Sequence, residues 1–166
     1  MNGKALYLEE VEAGTTFDLP EVEMTQELRD KHVKLYGEDW ADDENLGSIK
    51  KLGVMPSTAI VSVVAGQMGA AEILKIHRMK KYEVDCHDEI RVGDSIRTTV
   101  EVKERLFHHN PQRPYGYVTA VQRVFRKREG QSALALTRTL TWTVYTKDIE
   151  RVVAEPTDKT SAPYSL

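Results

Sequence analysis

Leu52-Gly-Val-Met-Pro-Ser-Thr-Ala-Ile-Val-Ser-Val-Val-Ala-Gly-Gln-Met-Gly-Ala-Ala71 contains no charged residue, and the fate of that segment decides the fold. It is long enough to invite reading as a membrane span. Gly53, Pro56, Ser57, Thr58, Ser62, Gly66, Gln67 and Gly69 make it too polar and too glycine-rich for that. A helix that is apolar on nearly all sides belongs instead in the middle of a soluble core. The helix is predicted to begin at Pro56, tolerated in a first turn, with Ser57 and Thr58 able to satisfy N–H groups there, and to run to about Ile76. Glycine costs a helix interior about 1 kcal/mol against alanine. Gly66 and Gly69, among Ala59, Ala65, Ala70 and Ala71, therefore imply that other backbones approach the helix closely.

Downstream the period changes. A strand-like run from Lys80 to Glu89 precedes the turn Arg91-Val92-Gly93-Asp94, after which Ile96, Thr98, Val100 and Val102 alternate with Arg97, Thr99, Glu101 and Lys103. Period two means one buried face and one wet face. Beyond the loop His108-His109-Asn110-Pro111-Gln112-Arg113-Pro114, a strand is predicted from Tyr115 to Lys127, then a hairpin at Arg128-Glu129-Gly130-Gln131. The last strand, about Ser132 to Thr146, is expected to place Leu134, Leu136, Leu140, Trp142 and Val144 on one face, interrupted only by Arg138. Upstream, Thr15 to Glu23 reads as a first strand, and Thr25 as the N-cap of a short surface helix reaching about Tyr36. The acidic segment Gly37 to Asn45 reads as a loop, because so many carboxylates cannot be buried unpaired. The order is α+β: an antiparallel β-sheet wrapped around a long central helix, in one domain over residues 1–146. Residues 147–166 are expected to form a poorly ordered tail.

The 166 residues carry 23 Lys and Arg against 26 Asp and Glu, a net charge of −3, with the basic residues scattered. Phosphate neutralisation has no footing there, so nucleic acid is not an expected partner. A lone cysteine, Cys86, can form neither a disulfide framework nor a CxxC pair, which fits a reducing compartment and leaves no metal site expected. The start, MNGKALYLEE, turns acidic without an apolar run, so no secretory signal is read and the cytoplasm is the expected location.

Several segments resemble the MaoC-like (R)-specific hydratase and dehydratase group of hotdog proteins, especially its N-terminal, often non-catalytic half. They are Tyr7-Leu-Glu-Glu-Val-Glu-Ala-Gly-Thr-Thr-Phe17, Gly53-Val54-Met55-Pro56-Ser57-Thr58 and Ile90-Arg91-Val92-Gly93-Asp94, within a match over about residues 7 to 146. The resemblance implies a hotdog fold and a substrate that is a thioester of coenzyme A or acyl carrier protein, with no further cofactor. It also implies a homodimer, or a heterodimer with another hotdog chain. Hydration needs a base for water, an acid for the α-carbon, and N–H donors for the charge growing on the thioester oxygen.

In active members the acid and base are an Asp and a His, spaced as Glu38 and Asp43 are here, in a loop before the central helix. Setting Glu38 on the family aspartate puts Asp43 in the histidine's place; setting Asp39 there puts Glu44 in it. Neither register supplies an imidazole. The resemblance thus implies a chain without an intact dyad, whose acid–base candidates are Glu38, Asp39 and Asp43, and which holds substrate for a partner that carries the chemistry. Gly53, Val54, Pro56, Ser57 and Thr58 are the expected substrate-binding residues, through N–H groups at the helix start; a mere helix cap is the alternative.

His87, beside Asp85 and Asp88, reads either as an acid whose pKa a carboxylate raises or as a surface residue. His108 and His109, next to Arg113, either meet coenzyme A phosphates or are solvated. His77, with Arg78, Lys80 and Lys81, is expected to close the long helix. Glu72, the carboxylate nearest that helix's centre, is a rival nucleophile or base, because hotdog thioesterases also resemble this chain. Arg138 requires either a carboxylate across a subunit interface or a sheet face open to water. A non-catalytic acyl-coenzyme A-binding or assembly protein completes the alternatives.

Overall fold

The computed structural model describes residues 5–36, 53–108, 110 and 113–149. In chain order these form a 3-10 turn (Leu8–Glu10), β1 (Thr16–Asp18), β2 (Val22–Glu23), α1 (Gln26–Tyr36), α2 (Ser57–Ala71), β3 (Ile76–Cys86), β4 (Ser95–Phe107), β5 (Tyr115–Arg128) and β6 (Gln131–Tyr145). The strands make one antiparallel sheet in the order β1-β4-β5-β6-β3, with β2 also paired to β4. This is the α+β hotdog architecture expected from the sequence.

The alternation in β4 is real: Ile96, Thr98, Val100 and Val102 are buried, while Arg97 and Lys103 are exposed. The same inner face continues through Val118, Ala120 and Val124 of β5 and Leu136, Leu140, Trp142 and Val144 of β6. Against it lies α2. Ala59, Ile60 and Val64 of its first half pack with Ile96, Val124 and Leu136, while Met68 of its second half packs with Val100, Val118, Leu140 and Trp142. The helix therefore runs lengthwise over the sheet.

Among the described residues the sheet covers one side of α2. Thr58, Ser62, Ala65, Gly66 and Gly69 form an exposed stripe, and a Cβ built on Gly66 or Gly69 would meet nothing within 4 Å. The close approach expected at those glycines is thus absent among the described residues. Close approach occurs instead at Gly116 of β5, where a Cβ would collide with the Leu106 carbonyl and the Leu8 side chain.

Four boundaries differ from expectation. α2 stops at Ala71 because Glu72 takes a left-handed conformation (φ 45°) as its C-cap, so His77, Arg78, Lys80 and Lys81 open β3 and do not close the helix. The first strand is split into β1 and β2 around Pro20, which has no N–H for the ladder. At the leading end of α2, Pro56 is the cap residue and no side chain caps the helix there, whereas Thr25 does cap α1, its Oγ1 accepting the Leu28 N–H. Finally, Leu134 leaves the inner face: a register shift makes Val124 oppose Leu136 and Phe125 oppose Leu134, so Ala135 is the extra residue and everything before it turns over. The tail beyond 149 lies outside the described residues.

The turn after Ile90 is tied to the β5 end. Asp94, 2% exposed, accepts Nε and Nη2 of Arg128 (both 2.7 Å) and the Arg91 N–H (2.8 Å). Burial alone would raise the Asp94 carboxyl, but these donors outweigh it and hold the group below its ordinary value. A depressed folded-state pKa stabilises the protein above the unfolded value of about 3.9 and is lost as pH falls through the folded value. Asp94→Asn is expected to cost about 2–3 kcal/mol at neutral pH, less than a fully buried pair because Arg128 keeps some hydration. Urea unfolding should show a smaller loss of stability on acidification in the variant than in the native chain.

Candidate active site

The leading end of α2 is placed by backbone alone. The Met55 N–H donates to the Ile90 carbonyl and the Val92 N–H to the Gly53 carbonyl, both at 2.8 Å, while Val54 bridges Arg91. Gly53 sits at φ +65°, a conformation that side chains disfavour. Behind this crossing, the Met24 N–H donates to the Asp94 carbonyl and the Gly93 N–H to the Met24 carbonyl. A helix leaves its first N–H groups without intrahelical partners, and the positive end of the dipole lies there.

Beside that end opens a cleft of about 440 Å³, lined by Met55, Ser57, Ile60, His87, Asp88 and Leu136 among others. Ser57 belongs to the first turn of α2, and His87 follows β3 directly. The His87 backbone N–H donates to the Ala135 carbonyl, so the bulged part of β6 holds it in place. Its ring Nε2 lies 2.9 Å from Thr137 Oγ1, and the side chain is exposed. Asp88 does not serve as its partner carboxylate. Arg126 takes that group through Nε and Nη2 (2.8 and 2.7 Å), and the Glu89 N–H donates to it as well. The Arg126 hydrogen bond, opposed in part by desolvation, holds Asp88 below its ordinary pKa.

One residue that the sequence did not single out stands close by. His32 of α1 is buried, and its Nε2 lies 2.9 Å from Thr58 Oγ1 in the first turn of α2. Arg29, one turn earlier, donates from Nε to the Val54 carbonyl at 3.3 Å. The signal was the spacing Leu28–His32, which puts an imidazole on the same stripe as a leucine packed against the core.

Of the expected site residues, Ser57 and His87 come together in the cleft. Gly53 and Val54 serve the backbone crossing, Pro56 caps the helix, and Thr58 meets His32. Glu38, Asp39 and Asp43, with the whole loop Gly37 to Asn45, lie outside the described residues, as does His109. Glu72 is at the far end of α2, fifteen residues from Ser57 and so about 22 Å along the axis; it cannot share this cleft. His77 Nδ1 lies 2.6 Å from the Tyr145 hydroxyl, and Arg113 donates to the Tyr115 hydroxyl at 2.8 Å. Arg138 is buried, so the water-facing alternative for it falls away. Among the described residues no group of three or more His, Cys, Asp and Glu could hold a metal, and no helix is long and apolar enough to cross a membrane.

No family model and no curated protein matches the chain. Solved structures do. The chain is similar to a monoamine oxidase regulatory protein from Archaeoglobus (TM-score 0.72, 16% identity, 88% of this chain and 98% of that one). It is similar to an R-hydratase from Pseudomonas aeruginosa (TM-score 0.66, 11% identity, 86% and 88%). It also matches a Mycobacterium tuberculosis protein with a double hotdog fold (TM-score 0.61, 20% identity), covering 98% of this chain and 53% of that one. The shared feature is the fold: one hotdog unit of the kind found in MaoC-like dehydratases and R-hydratases.

The two histidines should separate by stability. His32→Ala is expected to cost about 1–3 kcal/mol, since it leaves a cavity and removes a buried hydrogen bond. His87→Ala, at an exposed ring, is expected to change stability by less than about 0.5 kcal/mol. Chemical denaturation of both variants reads the difference.

Proposed function

We propose that this chain is a MaoC-like hydratase or dehydratase unit acting on acyl thioesters of coenzyme A or acyl carrier protein. The observation that carries this reading is the cleft at the leading end of α2, where Ser57 and His87 face the same space inside a hotdog fold. A thioester carbonyl seated there meets the positive end of the helix dipole and the backbone N–H groups of its first turn. Charge developing on that oxygen during addition or removal of water is what such donors stabilise.

The acid–base candidates of this chain are the carboxylates Glu38, Asp39 and Asp43 and, lining the cleft, the His87 imidazole. None of these forms the Asp/His pair of active members, which supports a division of labour: this chain holds the thioester while a second hotdog chain carries the dyad. The double hotdog protein, of which this chain spans about half, supports pairing of two such units. An exposed free Cys86 suits a cytoplasmic setting.

The purified chain should bind butyryl-coenzyme A and, mixed with its dyad-bearing partner, hydrate crotonyl-coenzyme A with release of the 3-hydroxyacyl thioester. His87→Ala is expected to lower kcat/KM by about 10²-fold if it exchanges a proton with substrate, with binding of butyryl-coenzyme A little changed. Full activity of the chain alone contradicts the division of labour. Liberation of free thiol without hydration contradicts the whole reading in favour of hydrolysis.

A further inference from the structure

A second cavity, of about 280 Å³, lies between α2 and the β5–β6–β3 side of the sheet. Met68, Met79, Leu140 and Trp142 supply apolar wall, and Gln122 and Arg138 are its polar groups. Gln122 and Arg138 are register partners on β5 and β6, so they stand side by side on the inner face. Both are almost fully buried, 1% and 2% exposed. Arg138 Nη1 reaches the Val61 carbonyl at 3.4 Å, and among the described residues its Nε has no partner and neither has Gln122 Oε1.

A guanidinium in such a place is costly. It carries five donors and its charge at any neutral pH, and a buried cation is ordinarily met by an anion. Here its neighbour across β3 is Val84, and its one hydrogen bond is long and goes to a neutral carbonyl. The planar fork fits a carboxylate, and the Gln122 amide, turned end for end, would offer its N–H groups to the same anion.

The position relates this cavity to the cleft. Leu136 lines the cleft and Arg138 the cavity, two residues apart on one face of β6, about 7 Å. Val61, whose carbonyl Arg138 touches, is one turn of α2 beyond Ser57, about 6 Å. An acyl chain whose thioester sits at the leading end of α2 would reach the guanidinium after a few carbons.

We propose that the cavity receives the far carboxylate of a short dicarboxylic acyl thioester, gripped by Arg138 with Gln122 beside it. This rests on the acyl-thioester reading of the cleft and names its substrate class. The apolar walls accept the carbon chain, and the buried cation rejects a plain alkyl end, which would leave it unpaired.

The test separates binding from turnover. Glutaryl-coenzyme A and butyryl-coenzyme A, which cannot be hydrated, are titrated calorimetrically into the native chain and into Arg138→Met, a swap of buried charge for apolar bulk that proteins tolerate. The native chain is expected to bind the glutaryl thioester roughly tenfold or more tightly than the butyryl one, and Arg138→Met to reverse that order. Equal binding of the two by the native chain overturns the proposal without need of any variant. An Arg138→Met protein that keeps the preference but falls apart as an oligomer also overturns it, assigning the guanidinium to a carboxylate of a second copy. Selective binding of the glutaryl thioester, with no hydration of its unsaturated counterpart even with partner present, upholds the subsite and defeats the hydratase reading. Hydration of crotonyl-coenzyme A without any preference for the dicarboxylic ligand does the reverse.

Discussion

The structure depends on one crossing, where Gly53-Val54-Met55 pairs backbone to backbone with Ile90-Arg91-Val92. Each strand alone is too short to be stable, and the pairing holds because the following turn is locked. Asp94 draws Arg128 from the end of β5 and the Arg91 N–H from its own turn, and its carbonyl receives the Met24 N–H from the segment before α1. Three separate stretches of chain thus meet at one residue, two of them at its buried carboxylate and the third at its backbone carbonyl. Leaving that carboxylate unpaired costs more than any one of the contacts is worth, which makes the node cooperative. The crossing sets where α2 begins, and so where the positive end of its dipole is aimed.

The same node links the two most distinctive sequence segments. Gly53-Val54-Met55-Pro56 and Ile90-Arg91-Val92-Gly93-Asp94 looked like separate signatures, one opening a helix and the other a turn. They are two sides of a single hydrogen-bonded unit, and Gly53 (φ +65°) and Gly93 (φ +92°) supply the left-handed turns that let each side bend away. Their joint presence therefore carries more about the fold than either alone.

Legibility followed the physics of each element. The period-two pattern of β4 and the Glu129-Gly130 hairpin (φ 50° and 80°) were readable because burial and turn geometry act on neighbouring residues. The end of α2 was not: Glu72 favours helices, and only the Leu6 bridge to Leu74 shows why the chain must leave the helix there. The position of Leu134 was equally hidden, since a one-residue bulge at Ala135 reverses a face without altering composition. At the site, Ser57 and His87 were legible as separate candidates but not as neighbours, because β3 and the bulge of β6 bring them together over long sequence distance. His32 was missed because α1 read as a surface helix, and its Leu35 is indeed 77% exposed. Leu28, His32 and Leu35 share the i, i+4, i+7 face, and only its last member, at the end of α1, is left in water.

Arg138 illustrates what a strand pattern says when one position breaks it. Between Leu136 and Leu140 the inner face should carry an apolar side chain, and a hydrophobe there would fill the cavity and avoid an uncompensated buried charge. Stability alone therefore argues against arginine at this position. A destabilising group that sits between the cleft and the core, with its partner on the next strand also incompletely bonded, is better explained by what enters the cavity than by what surrounds it. Leu136 at the cleft and Arg138 at the cavity stand two residues apart on β6, and that is the spacing the proposed dicarboxylic ligand has to span.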